Sequence, residues 1–218
     1  MPARRSREHG PLERGARAIL RESSRSMAKV ERSCASAVAA AAEAMIASIE
    51  AGGTVYFCGN GGSAADAQHL ACELAGRYLV DRPALPAVAL STNTSSLTAI
   101  GNDYGFEHVF SRQLEGLGSP GDVLVAITTS GTSPNVIRAV RTAQRLGMTV
   151  IGMTGPKGAR FAAECDVALV SHGGVTPRIQ EGHIAMGHAL CELVERALFP
   201  AKRGRGRPTR RSGKAARS

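Results

Sequence analysis

A chain of 218 residues with 43% hydrophobic content fits one domain with extensions and can bury a sizeable core. With eight aromatic residues and no Trp, that core is mostly Ala, Val, Ile and Leu; five cysteines (Cys34, Cys58, Cys72, Cys165, Cys191) with neither a CxxC pair nor dense, even spacing exclude a secreted disulfide scaffold and read as reduced thiols. The net charge of +9 looks like a nucleic-acid signature only until it is divided: residues 201–218 hold eight Lys/Arg and no acid, residues 1–32 nine basic and four acidic groups, so residues 33–200 carry −4.

Residues 1–11 show no apolar period and are expected to be disordered. Leu12 to Met27 spaces Ala16, Ile19, Leu20 and Met27 like a surface helix. Cys34 to Glu50 is an Ala-rich second helix, apolar nearly all round, which Gly52-Gly53 stops. Such a helix packs on both sides, as in a bundle or a subunit interface. From there short apolar strands alternate with helices. Strands are expected at 54–58, 86–90, 122–127, 149–153 and 167–170. Helices are expected at 63–78, 95–101, 108–117 and 134–146, with a short one near Arg160 and a long last one at 177–198. Continuous apolar strands with helical crossovers mean a parallel sheet covered on both faces. The fold class is therefore α/β, a three-layer sandwich with a five-stranded parallel sheet, in one domain over 12–199 with N-terminal helices.

Ligands of such sheets bind outside the carboxyl ends of the strands. Three polar loops fall there: Gly59 to Ser63, Ser91 to Ser96 and Thr128 to Ser133. The first is a glycine-rich turn between strand and helix, which lets backbone N–H groups approach a phosphate. The third offers five hydroxyls and Gly131, with Pro134 at the expected first helical position. Neutral donors plus a helix N-terminus hold a phosphate dianion without lysine. The plainer reading is that Ser133 and Ser63 cap their helices, the latter in a Ser63-x-x-Asp66 box.

On the helix leaving the glycine-rich turn, His69 and Glu73 stand at i, i+4 and share a face, where they can bind one metal or one substrate. Alone such a pair is more often a solvated one; closeness to the turn raises its weight. The last helix carries Gln180, His183 and His188 on an otherwise apolar surface.

Together the Cys58-Gly-Asn-Gly-Gly-Ser turn with His69 and Glu73, the Gly101-Asn102-Asp103-Tyr104-Gly105 turn, the Thr128-Thr-Ser-Gly loop and the Arg178-Ile-Gln-Glu-Gly-His run resemble the phosphoheptose isomerases, the sedoheptulose 7-phosphate isomerases of the sugar-isomerase (SIS) superfamily, over about residues 12–199. The resemblance implies a flavodoxin-like SIS domain and an aldose-ketose isomerase acting at the first step of nucleotide-activated heptose biosynthesis. It implies Glu73 as general base and His188 as its acid/base partner, with His69, Glu73, Gln180 and His188 around a zinc. Asn60, Gly61, Gly62, Ser63, Asn102, Asp103, Thr128, Thr129, Ser130, Ser133 and Gln180 would meet the sugar phosphate, together with Glu73. It implies a homotetramer with sites near subunit boundaries. Gln180 and His188 are eight residues apart, about 12 Å of rise and about 80° of rotation on one straight helix. One zinc cannot easily take both unless the helix is irregular, two chains contribute, or one of them binds indirectly.

Two other readings share this domain: a replication-initiator-associating adaptor, whose relatives lack the Glu and His pair, and a sugar-phosphate-sensing module. No apolar run resembles a leader or reaches the ~20 uncharged residues that span a bilayer. The chain reads as cytoplasmic, with no membrane partner. The Lys/Arg-rich segment 200–218 reads as a solvated, disordered tail, the one place suited to nucleic acid or another acidic polymer.

Overall fold

The computed structural model describes residues 10–200. The expectations for 1–11 and for the basic tail at 200–218 fall outside the described residues, except at Gly10, Pro11 and Pro200. Pro11 is not irregular: it opens the first helix at a position where its missing N–H costs nothing.

Five strands, β1 (Val55–Gly59), β2 (Ala87–Ala89), β3 (Val123–Thr128), β4 (Thr149–Thr154) and β5 (Val167–Val170), form one parallel sheet in the order β2-β1-β3-β4-β5. Each lies within a residue of its expected bounds, because fully buried strands such as β1 and β3 read as unbroken apolar runs. Alternate side chains enter opposite layers. Phe57, Val125 and Ile127 pack with α1 (Pro11–Glu50), α2 (Gly62–Ala75) and α7 (Thr176–Leu198). Tyr56, Cys58, Leu124 and Ala126 pack against α4 (Ser111–Leu117) and α5 (Pro134–Arg145). The three-layer sandwich is therefore present, and all five cysteines are free thiols.

Three helices differ from expectation, each for a local reason. The two N-terminal helices are one, α1, of 40 residues; nothing between Met27 and Cys34 breaks a helix, and Gly52, at φ +84°, turns the chain just beyond its end. Helix α3 (Thr94–Tyr104) continues through Asn102 and Asp103 until Gly105 at φ +94°, and a 3-10 turn at Phe106–His108 takes up what was expected as the start of α4. Helix α2 stops at Ala75, three residues early, since the Tyr78 N–H donates to Glu195 instead. A short helix, α6 (Ala159–Ala163), lies where one was expected near Arg160.

The buried residues of α1 form a single stripe from Ser26 through Val30, Cys34, Val38, Ala41 and Met45 to Ser48, facing α7 and β5. Ala39 and Ala40, on its other side, are exposed. By length and composition alone α1 contains an 18-residue window, of mean hydropathy 1.3, apolar enough to cross a membrane, and 33% of that window is buried inside the molecule.

Helix α7 runs beside α2 in the same direction. Gln180 lies against Gly62, Gly187 against Leu70, His188 against His69, and Glu195 takes the N–H groups of Tyr78, Leu79 and Val80 at 3.1, 2.8 and 3.1 Å. Arg82 Nε completes this with a 2.8 Å bond to Glu195, both side chains almost fully buried at 1% and 4% exposure. Burial would push the Glu195 carboxyl up, but the hydrogen bonds from Leu79, Arg82, Tyr78 and Val80 outweigh it and hold it below the usual carboxylate range. Removing one partner of such a buried pair costs roughly 3–5 kcal/mol. Urea unfolding of Arg82→Ala should show a loss of that size; a loss near that of an exposed pair would refute the buried clamp.

Candidate active site

The chain leaves β1 for β2 on one side of the sheet and returns to β3 on the other, so strand order reverses between β1 and β3. A crevice opens at that switch point, outside the carboxyl ends of the two strands. The loop after β1 carries Asn60 to Ser63 and the loop after β3 carries Thr128 to Ser133. A Cβ at Gly59 would sit 2.7 Å from the Ser63 carbonyl oxygen, so only glycine lets α2 start this close to the strand end. Gly61 supplies φ +55° at the N-cap of α2.

Neither serine caps its helix. Ser63 is buried within the first turn of α2, and no side chain caps that helix. Ser133 stands at the N-cap of α5, but its hydroxyl makes no cap bond; it lies 3.1 Å from Thr128 Oγ1, which also accepts from the Gly131 N–H. Ser130 and Thr132 pair at 2.8 Å. The loop is held from behind: the Gly155 N–H donates to the Thr129 carbonyl, and a Cβ at Gly131, at φ +70°, would meet Gly158 Cα at 2.5 Å. Asn60 and Asn135 exchange two amide hydrogen bonds of 2.8 Å, tying the β1 loop to α5. A cavity of about 500 Å³ at the crevice is lined by Asn60, Phe106, Glu107, Ser133, Asn135 and Arg138. Asn102 and Asp103 are exposed on the last turn of α3, with the Asn102 amide donating to the Asp103 carboxylate at 2.8 Å.

A second station lies two turns along α2. His69 Nε2 is 2.8 Å from His188 Nε2 and 3.5 Å from Glu73 Oε1. Tyr78 flanks His188 with ring centroids 6.0 Å apart. The contact is a hydrogen bond when one ring carries its proton on Nε2 and the other does not. Two imidazoles and a carboxylate are a donor set suited to zinc, and two ligand atoms on a tetrahedral zinc lie roughly 3.3 Å apart. The two distances bracket that spacing, so small side-chain rotations would admit an ion, although among the described residues no three His, Cys, Asp or Glu groups already enclose one. Gln180 is not with them: its amide lies against Gly62 at the first station.

His183, on the sheet side of α7, is buried and neither ring nitrogen finds a partner. Burial pushes its pKa down to about 4. It is neutral at physiological pH and faces the core rather than either station.

The SIS domain family profile matches residues 19–155. The phosphoheptose isomerase of Rhodospirillum rubrum is 59% identical over 165 residues, which span 76% of this chain and 88% of that protein. The chain belongs to the phosphoheptose isomerase family. Among solved structures, phosphoheptose isomerase from Neisseria gonorrhoeae is 47% identical with a TM-score of 0.80, covering 84% of this chain and 98% of that one. The Francisella tularensis phosphoheptose isomerase is 35% identical with a TM-score of 0.81, covering 86% and 100%.

Two further residues of the site carry no signal in the sequence. Asn135 follows Ser133-Pro134 like any residue of a helix first turn, yet it fixes Asn60. Tyr78 lies past the end of α2 and reaches His188 only because Glu195 holds its N–H. The contact between Gly62 and Gln180 yields a test within the family fold. A Cβ at Gly62 would overlap Gln180 Nε2 and stand 2.9 Å from Cδ, the far end of a flexible side chain. Gly62→Ala should therefore displace Gln180 and lower turnover at least severalfold while the unfolding midpoint moves little; unchanged turnover would show that the seating of Gln180 is immaterial.

Proposed function

We propose that this chain is a phosphoheptose isomerase that converts sedoheptulose 7-phosphate to D-glycero-D-manno-heptose 7-phosphate. The observation that carries the reading is the meeting of Glu73 with His69 and His188 beside a hydroxyl-lined switch-point crevice, in a chain 59% identical to a curated phosphoheptose isomerase. The adaptor and sensing readings lose ground on both counts.

The reaction moves one proton from C1 to C2 through a cis-enediolate. Glu73 takes the C1 proton and returns it to C2. His188 protonates O2 as the double bond shifts and accepts the O1 proton as the aldehyde forms, with His69 fixing its ring through the Nε2 contact. Thr128, Thr129, Ser130 and Ser133 hold the phosphate, and Asn60, Gly61, Gly62, Ser63, Asn102, Asp103 and Gln180 hold the sugar backbone. A zinc at His69, Glu73 and His188 would act as a Lewis acid on the sugar oxygens. Gln180 touches substrate there or reaches the ion from a neighbouring protomer.

The second station is not among the walls of the crevice cavity, which supports sites completed at subunit boundaries. So does an apolar groove of about 470 Å³ between α1 and α7, lined by Met27, Val30, Val38, Met186 and Leu193. We take the assembly as a homotetramer of residues 12–199, working in the cytoplasm, with α1 seated on its own chain rather than in lipid.

One preparation tests these points separately. General acid–base groups are worth roughly 10² to 10⁴ each, so Glu73→Gln and His188→Ala should each lose at least about 10² in turnover of sedoheptulose 7-phosphate with an unchanged circular dichroism spectrum. Near-wild-type turnover by either variant rejects the assignment. Metal analysis should find zinc, and chelation should remove activity that zinc restores; full activity of metal-stripped protein rejects the zinc alone. A fully active monomer by light scattering rejects the tetramer, and truncation of 200–218 should leave turnover unchanged.

A further inference from the structure

Residues 33–200 have ten Lys/Arg against fourteen Asp/Glu, yet three of those ten, Arg138, Arg141 and Arg145, sit on α5, which has no acidic residue. On a helix that is merely solvated, acids at i±3 or i±4 offset such a row. Here the spacing of three and four residues turns all three guanidinium groups toward one groove between α4 and α5, a cavity of about 440 Å³ that His108 also lines. A concave wall keeps part of the solvent away and strengthens the field of its charges.

Little in the protein neutralises that field. Arg141 makes a two-bond fork with Glu164, at 3.0 and 3.3 Å, but the side chains are 60% and 35% exposed, so solvent screens the pair. Among the described residues, Arg145 donates to the Thr142 hydroxyl alone, at 2.8 Å. Glu115 lines the same groove but is engaged by Arg112 of its own helix at 3.4 Å. Pro134 and Ile137 add apolar wall.

We propose that this groove is a second anion site, adjoining the Thr128–Ser133 loop at Thr132 and sharing Pro134 and Arg138 with the wall of the crevice cavity but centred on Arg141 and Arg145, for a small molecule carrying a diphosphate. Two guanidinium groups without a carboxylate partner among the described residues (Arg138 with Glu107 across the adjoining cavity) and a third in a solvent-screened fork match a group of about three negative charges better than a single phosphate, and guanidinium forks bind phosphoryl oxygens in pairs. The volume suits a ligand of nucleotide size. Thr132 and Pro134 form one end of the groove and flank Ser133, so an occupant would also act on the loop proposed to hold the sugar phosphate. The proposal does not depend on the isomerase reading.

The test is calorimetric titration of the full-length protein, pre-equilibrated with saturating sedoheptulose 7-phosphate, with pyrophosphate, with ADP and with orthophosphate. Pyrophosphate should bind once per chain without displacing the sugar phosphate, and orthophosphate much more weakly. ADP binding more tightly than pyrophosphate would identify a nucleoside diphosphate as the ligand class; equal binding would identify the diphosphate alone. In the Arg141→Ala/Arg145→Ala variant affinity should fall about tenfold or more, as for loss of charge-assisted bonds, with turnover in the absence of ligand unchanged. Arg145→Gln, a single exposed change, guards against misfolding of the double variant and should show a smaller loss. No binding at millimolar pyrophosphate, competition with the sugar phosphate, orthophosphate binding as tightly, or affinity indifferent to both variants would overturn the proposal.

Discussion

One buried carboxylate sets how α2 and α7, which carry the candidate site, meet. Glu195 accepts three consecutive N–H groups after α2 and the Arg82 guanidinium. Arg82 in turn donates to the carbonyls of Glu73 and Leu74 at 2.8 and 2.9 Å, satisfying groups that the end of a helix leaves without partners. The backbone of Glu73 and the last turns of α7 are thereby tied through a single arginine. A carboxylate with four donors and a guanidinium with several acceptors leave little of the desolvation cost uncompensated, so the pair fixes the register of α7 on α2. His188 reaches His69 because of that register. A slip of one residue would rotate His188 by about 100° away from α2.

That register resolves the difficulty raised by Gln180 and His188. They are too far apart on one helix to serve one point, and α7 is unbroken between them. Because α7 runs parallel to α2, the two side chains visit two places on the same neighbour, Gly62 and His69. These are seven residues apart on α2, about 10 Å of rise, so each chain carries a glycine-turn station and an imidazole-carboxylate station.

Much of this was legible in the sequence wherever a local pattern carries the physics. Buried parallel strands are bare apolar runs, so all five could be placed and with them the loops that end on the ligand edge. His69 and Glu73 share a face by spacing alone. What could not be read was long-range pairing. Arg82 and Glu195 look like any surface charges until the fold closes a separation of 113 positions between them, and Asn135 looks like a first-turn residue until it meets Asn60. The capping motifs misled in the other direction. Ser63 and Ser133 fit cap patterns, but the glycine turn and the Thr128 hydroxyl claim the geometry that a cap bond would need. The single long α1 was missed because a change in apolar spacing after Met27 resembles a boundary, while continuous helix formers need none.

The two stations also bear on which sugar phosphates suit the site. In a ketose 7-phosphate the reacting carbons, C1 and C2, lie at the far end of the chain from the phosphate. Under the proposed roles, the hydroxyl donors at the switch point and the acid–base pair on α2 and α7 divide the task in the same sense, with one set anchoring an end that does not react and the other meeting the end that does. On that proposed assignment, binding energy gathered at the phosphate is used to orient C1 and C2 against Glu73. The anchoring loop is held from behind by Gly131 and the Gly155 N–H, and the acid–base pair by Glu195, so neither depends on substrate to acquire its shape. Helix α7 spans the glycine turn and the imidazole-carboxylate station, and its fit against Gly62 and Leu70 makes the spacing between those two a property of packing rather than of flexible loops.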